Sequence, residues 1–324
     1  MLYPLRFVPL MKEVVWGGER LAKSGKRVPA GKQGSRIGES WELSGLESDE
    51  SVVAAGELAD NTLPELVEVY MGELVGEKVY ERYGTEFPVL LKFLDAREKL
   101  SLQVHPNDEF AREMHNARGK TELWYVVEAD EQGAIYLDFS RALSEEEYDA
   151  AVEEGTIERF IRRRLVHKGE AFLVPAGTIH SIGSGVLLAE VQEPSDITYR
   201  IYDWGRVDSL GHPRELHTAL AAEVVSLVPK EGLNVTPTPK HNGAVEIATC
   251  DHFTVNLIDV AGTIELDYAP LDSYVAYMCV EGEVEITAMG SRERLRKLET
   301  LLVPAEATEL FISGKGRLLE IYTR

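Results

Sequence analysis

Cysteine is scarce in this chain: Cys250 and Cys279 stand far apart, in neither a CxxC pair nor a zinc-ribbon spacing. That excludes a disulfide framework and makes a reducing cytoplasm the expected setting. Basic residues are short as well, 34 against 55 acidic ones, for a formal net charge of −21. A surface of that sign repels nucleic acid and anionic membranes, so neither is expected as a partner. No apolar run reaches the length of a membrane-spanning helix. In the opening stretch MLYPLRFVPLMKEVVWGG, Pro4, Pro9 and the Lys12/Glu13 pair interrupt the apolar core a signal peptide needs. Biased tracts are missing too, and 44% hydrophobic with 27% charged residues is an ordinary globular composition.

What is present is a chain of 324 residues, enough for two domains or one large β domain with additions. Segments 87–96, 100–106, 123–129, 133–139, 170–176 and 185–194 read as strands, short and bounded by Gly, Pro or Asp. Helices are expected over 63–77 behind Pro64, over 144–153 behind the capping box that starts at Ser144, and over 213–228 behind Pro213. Strands dominate without alternating with helices, which argues against a doubly wound parallel sheet. The proline-bearing stretch 228–240 reads as a connector. Beyond it, 253–259, 273–280, 282–288, 300–304 and 317–322 read as strands of a second β domain.

The two β regions look like diverged copies, because EAFLVPAGTIHSI (170–182) lines up with ETLLVPAEATELFI (299–312) at Leu-Val-Pro-Ala. Where the first copy has Gly177 and His180, the second has Glu306 and Glu309. Ligand chemistry therefore belongs to the first copy. The expected division is a catalytic domain over 1–235, with helical insertions near 50–85, 107–118, 143–165 and 213–228, and a metal-free β domain over 236–324.

Gln103 and His105 are two apart on a strand and so share a face, opposite the apolar Leu102 and Val104. Glu122 opens the strand LWYVVEA, and an adjacent antiparallel pairing would bring it beside His105. His180 ends the spacing Gly169-x5-Pro175-x-Gly177-x2-His180, in which Gly and Pro shape a tight turn that leaves an imidazole at a strand start. Two imidazoles, a carboxylate and an amide suit one divalent metal, zinc first, with manganese or cobalt feasible. A lone strand histidine is ordinarily a core or surface residue, and Gln103 or Glu122 alone would read as solvated. The spacing before His180 is the specific element. It resembles the second cupin motif, departing at Ser184, where cupins usually carry Asn.

LKFLDAREKLSLQVHPND, GKTELWYVV, VPAGTIHSIG and SDITYRIYDWGR, together with VVWGGERL (14–21) and IGESWELS (37–44), resemble the type I phosphomannose isomerases of the short bacterial form over nearly the whole chain. That resemblance implies a mainly β protein of two cupin, jelly-roll units with helical insertions. It assigns the metal to Gln103, His105, Glu122 and His180, and substrate handling to Lys120, Asp196 and Arg200. Lys92 and Ser101 resemble the family's phosphate contacts, although a strand lysine that snorkels to the surface reads equally well for Lys92. The other histidines, at 115, 167, 212, 217, 241 and 252, fit no ligand spacing and read as structural or solvent-exposed.

The implied reaction interconverts mannose 6-phosphate and fructose 6-phosphate, taking a proton from C2 and returning it at C1 through an enediol. A divalent metal would polarise the oxygens, and Arg200 would add fixed positive charge. Lys120 or Asp196 could carry the proton, with water or hydroxide on the metal, or His105 during ring opening, also open; as a base Lys120 must be neutral, which nearby metal and Arg200 would favour. A non-catalytic sugar-phosphate-binding cupin is the alternative, and intact Lys120, Asp196 and Arg200 count against it. A metal oxygenase would favour a site richer in histidine. The sequence leaves the oligomeric state open.

Overall fold

The computed structural model describes residues 1–26, 36–207 and 211–324. The first β unit is built from two facing antiparallel sheets. One orders the strands Ala171–Val174, Glu122–Ala129, Val186–Gln192, Leu90–Ala96, Leu10–Gly18 and Ile37–Leu43. The other orders Tyr199–Tyr202, Leu102–Val104, His180–Ile182, Ala134–Phe139 and Ile161–Leu165.

Strand parity decides what faces the space between these sheets. On the first sheet Leu94, Ala96, Trp124, Val126, Phe172, Val186 and Leu188 turn inward and pack with Ile135, Leu137 and Ile182 of the second. Their neighbours Leu91, Phe93, Leu123, Tyr125, Val127, Leu187, Ala189 and Val191 turn outward into a separate apolar cluster. With both faces covered, these strands are near-continuous apolar runs. Any polar residue at an inward position is consequently conspicuous.

The outward cluster is shared with the C-terminal sheet, whose main path runs Gly243–Thr249, Thr254–Asp267, Glu309–Tyr322, Val275–Ala288 and Ser291–Arg296, with Thr300–Val303 on Val275–Ala288. Here too parity divides the side chains: Val255, Leu257, Ala276, Met278, Leu319 and Ile321 meet the first unit. Ile258, Val260, Val275, Tyr277 and Leu318 instead pack inside the C-terminal unit. The two units therefore meet sheet face to sheet face. At roughly 25 cal/mol per Å² of buried apolar area, such a face is costly to expose.

Helices cover the remaining surfaces. Glu145–Glu153 carries the expected capping box, Ser144 with Glu147. With Thr218–Val224 it lies over the outer face of the second sheet, where Leu102 and Val104 join Tyr148, Ala151 and Ala221. Asp108–His115 is capped by the Asn107 side chain.

Several expected elements differ. The helix anticipated over 213–228 spans only Thr218–Val224, since the residues from Pro213 are drawn into a bridge to Val207 and other irregular backbone. The insertion over 143–165 ends in the strand Ile161–Leu165, not in helix. The 63–77 helix is Leu63–Val75, kinked at Met71 (φ 47°), and a second helix, Glu77–Tyr83, follows Gly76. Segments 273–280 and 282–288 form one strand with a register shift between Cys279 and Glu281. The strands Leu10–Gly18, Ile37–Leu43, Gly243–Thr249 and Ser291–Arg296 were not anticipated from periodicity.

Candidate metal centre and substrate cleft

Gln103 lies between His180 and Arg200 in the second sheet, paired with each across an antiparallel register. The turn that delivers His180 needs a glycine: Gly177 has φ 76°, and a Cβ there would sit 2.8 Å from the Val224 carbonyl oxygen. Its N–H donates to the His105 carbonyl at 2.8 Å, which ties the two histidine segments together.

Glu122 arrives from the other sheet, flanked by Val174 and Gln192. The expected adjacent-strand pairing with His105 is thus corrected. The two residues meet across the space between the sheets, with His105 Nε2 3.2 Å from Glu122 Oε1. His180 Nε2 lies 3.7 Å from Glu122 Oε2. His105, Glu122 and His180 are all about 1% exposed, and their ligand atoms lie within 4.8 Å of one another.

Both imidazoles are oriented by the same device. His105 Nδ1 is 2.8 Å from the Ile197 carbonyl and His180 Nδ1 2.8 Å from the Thr178 carbonyl. Each Nδ1–H donates outward, leaving an Nε2 lone pair aimed at the shared centre, the arrangement of metal-ligating histidines. Gln103 Nε2 is 3.4 Å from each of these Nε2 atoms. A half-turn of the carboxamide presents Oε1 there instead. Burial, then the Lys120 charge, drives His105 down to about 3, against the pull of Glu122. Burial likewise lowers His180. Burial opposes ionisation of Glu122, but Lys120 and His105 hold its carboxyl well below the usual range. Two neutral imidazoles, an ionised carboxylate and an amide oxygen fit a divalent cation of the zinc type.

Eight of the nine singled-out residues, Lys92, Ser101, Gln103, Lys120, Glu122, His180, Asp196 and Arg200, line one cleft of about 360 Å³, and His105 is tied directly to Gln103 and Glu122. Lys120 Nζ is 3.2 Å from Glu122 Oε1. Burial disfavours its charge, but Glu122, Glu190 and Asp196 outweigh that and raise its pKa. Three acids surround the amine and favour its charged form, opposite to the direction in which a bound metal would push it. Arg200 donates through Nε to Ser101 Oγ at 3.3 Å and through Nη1 to the Glu215 carbonyl at 2.8 Å. Ser101 Oγ donates to Gln103 Oε1 at 3.2 Å. Lys92 is buried, 3.5 Å from Glu190 and 4.6 Å above the Trp41 ring, so it does not snorkel. Asp196 is exposed at the cleft.

Residue-by-residue reasoning passed over Glu190, Trp124 and Arg214, which line the same cleft. Glu190 is buried; burial and then Glu122 push it up to about 7, against Lys92 and Lys120. Trp124 Nε1 donates to Glu122 Oε2 at 3.1 Å and to Glu190 Oε1 at 3.0 Å. A carboxylate within the apolar run VLLAEVQ was the available signal for Glu190. Arg214 carried none.

In the second copy, Glu306 and Glu309 are exposed. Among the described residues, no helix is long and apolar enough to cross a membrane.

Comparison with known proteins adds two family matches, phosphomannose isomerase type I, catalytic domain, over residues 5–131, and mannose-6-phosphate isomerase, cupin domain, over residues 245–323. The chain is 34% identical to mannose-6-phosphate isomerase ManA of Bacillus subtilis (strain 168), with 96% of each chain aligned. It is also 34% identical to mannose-6-phosphate isomerase of Streptococcus mutans, over 94% of this chain and 93% of that protein. The crystal structure of the mannose 6-phosphate isomerase from Bacillus subtilis superimposes with a TM-score of 0.85, at 31% identity and 99% coverage of each chain. The mainly β architecture is accordingly the cupin fold.

Proposed function

Because the chain belongs to the type I phosphomannose isomerase family, we propose that it is a metal-dependent aldose–ketose isomerase interconverting mannose 6-phosphate and fructose 6-phosphate. The observation that carries this reading is the convergence of two outward-tethered imidazoles, Glu122 and Gln103 beside a cleft lined by Lys120, Arg200 and Asp196. Gln103, His105, Glu122 and His180 would hold one divalent ion, zinc by donor type, which when bound polarises the substrate oxygens. The catalytic unit is assigned to residues 1–235, and residues 236–324 to a β unit without a catalytic metal. A cytoplasmic setting fits a phosphorylated sugar.

The reaction moves the C2 proton to C1 while the C1 carbonyl becomes a hydroxyl and the C2 hydroxyl a carbonyl, so no redox partner is consumed. Lys120, held cationic by three acids, is placed to donate to the developing enediolate oxygen. Asp196 and Glu190 are the cleft carboxylates available to carry the carbon-bound proton. Glu190 is the one whose surroundings hold it near neutrality, where acid and base forms are both populated. Arg200 supplies preorganised positive charge, with Ser101 and Lys92 as the phosphate contacts. In a chain of net charge −21, these local cations must attract the dianion.

A coupled assay of the purified protein with mannose 6-phosphate, before and after chelation, tests the proposal. Turnover that disappears on chelation and returns with zinc, manganese or cobalt is expected. Binding of the sugar phosphate without turnover would instead identify a sensor. Full activity in metal-free protein would sink the metal assignment.

A further inference from the structure

His252, in the C-terminal unit, is buried against the segment that leads into the Glu122–Ala129 strand. Its Nε2 lies 3.2 Å from Asp108 Oδ2 and 3.2 Å from Glu193 Oε2, while its Nδ1 lies 3.1 Å from the Tyr83 hydroxyl. The second oxygen of each carboxylate is engaged elsewhere. Asp108 Oδ1 accepts the Gly119 N–H at 2.8 Å, and Glu193 Oε1 accepts the Thr121 N–H at 2.8 Å. These two N–H groups flank Lys120, whose own N–H donates to the Pro106 carbonyl at 3.0 Å. Three consecutive backbone amides are thus fixed, two of them through carboxylates whose other oxygens both meet His252 Nε2.

We propose that His252 is a positioning residue through which the C-terminal unit sets the backbone of Lys120, so that the second β unit contributes to turnover without touching substrate. The inference rests on the reading of Lys120 given above. Its physical basis is that Asp108 Oδ2 and Glu193 Oε2 belong to a cluster no wider than 4.8 Å, and His252 lies between them. Burial and the nearby Asp108 push Glu193 up to about 7 against the hydrogen bonds from Thr121, the mark of a carboxylate with too little compensation. Without the imidazole, two acids face each other in a poorly solvated place and move apart, carrying the amides of Gly119 and Thr121 with them. Lys120 precedes the strand and depends on those amides. Glu122 is held by strand pairing to Val174 and Gln192, so the metal site is moved less. Burial lowers the pKa of His252, and Arg82 and Arg118 add to this against the pull of Asp108, so the clamp is a neutral imidazole wedged between the two acids.

The test uses the zinc-loaded full chain with His252→Ala. A misplacement on the order of 1 Å at Lys120 corresponds to a fall of roughly 10- to 100-fold in kcat. KM should stay within about threefold, because a lost transition-state contact leaves ground-state binding largely intact. One equivalent of zinc per chain should remain, and amide exchange at residues 119–121 should accelerate while the strands stay protected. In His252→Ala/Glu193→Gln the charge clash is gone and the amide can donate to Asp108, so kcat should recover most of the loss. If His252→Ala does not fold, His252→Gln, which retains one donor, should show a smaller loss of the same pattern. Unchanged kcat and exchange would overturn the proposal, as would uniform acceleration across the chain or loss of a second zinc equivalent. Absence of isomerase activity in the parent protein would instead remove the functional reading, and the exchange measurement would still decide whether the clamp exists.

Discussion

Gln103 and His180, 77 residues apart in sequence, form a single antiparallel register pair, with Nε2 atoms 3.4 Å apart. The proposed ligand set is thus assembled by backbone hydrogen bonding between short strands, with Glu122 closing it from the facing sheet. Ligands fixed by strand pairing are preorganised, which favours a defined coordination geometry.

One divalent metal per chain is expected by elemental analysis of protein purified without added metal. His180→Ala should weaken binding by more than the roughly 10- to 100-fold associated with losing an outer hydrogen-bond partner, and activity should fall with it. His105→Ala should behave alike. Unaltered metal content in both variants would remove these histidines from the ligand set.

Arg200→Lys keeps the charge but not the planar fork that meets Ser101 and the Glu215 carbonyl. If Arg200 acts on the transition state, kcat falls roughly 10-fold or more with little change in KM. Lys92→Ala should raise KM with kcat retained, the pattern of a contact made equally in both states. Steady-state kinetics distinguish the two patterns, and parental kinetics in both variants would leave the phosphate without its assigned partners.

Glu309→Ala should leave kcat and KM within about twofold, since an exposed surface carboxylate far from special features has little effect. A large loss of kcat in folded protein would show that the second copy retains a catalytic part.

The metal-free protein should lose stability as pH falls, through His105. Its pKa is near 3 when folded and about 6.5 when unfolded, so between those values the unfolded chain binds a proton that the native state refuses. This contribution is complete above pH about 6.5 and is lost as pH falls toward 3. Glu190 and Glu193, both raised to about 7, act oppositely, since the native state retains their protons between about 4.5 and 7. The comparison is therefore between urea midpoints of chelated wild type and His105→Gln at pH 7.5 and 5. Wild type should show the larger drop, and equal drops would contradict the assignment.

The sequence by itself determined the residue types and the local geometry. Parity along Gln103-Val104-His105 put both polar side chains on one face, and the Gly-Pro-Gly spacing before His180 reflected a turn with a positive φ at Gly177. Ser144 with Glu147 announced a helix because capping chemistry is local. Periodicity overextended the 213–228 helix, since propensity does not reveal when backbone is drawn into bridges elsewhere. Only the tertiary structure decided that Glu122 reaches His105 across the space between two sheets, because pairing partners of a strand are not encoded in its own periodicity. The raised pKa of Glu190 likewise arises from burial and from Glu122, and that of Lys120 from Glu122, Glu190 and Asp196 in spite of burial, groups that distant segments bring together. The same holds for His252, which fits no ligand spacing yet meets Asp108 and Glu193 where the two β units pack against each other.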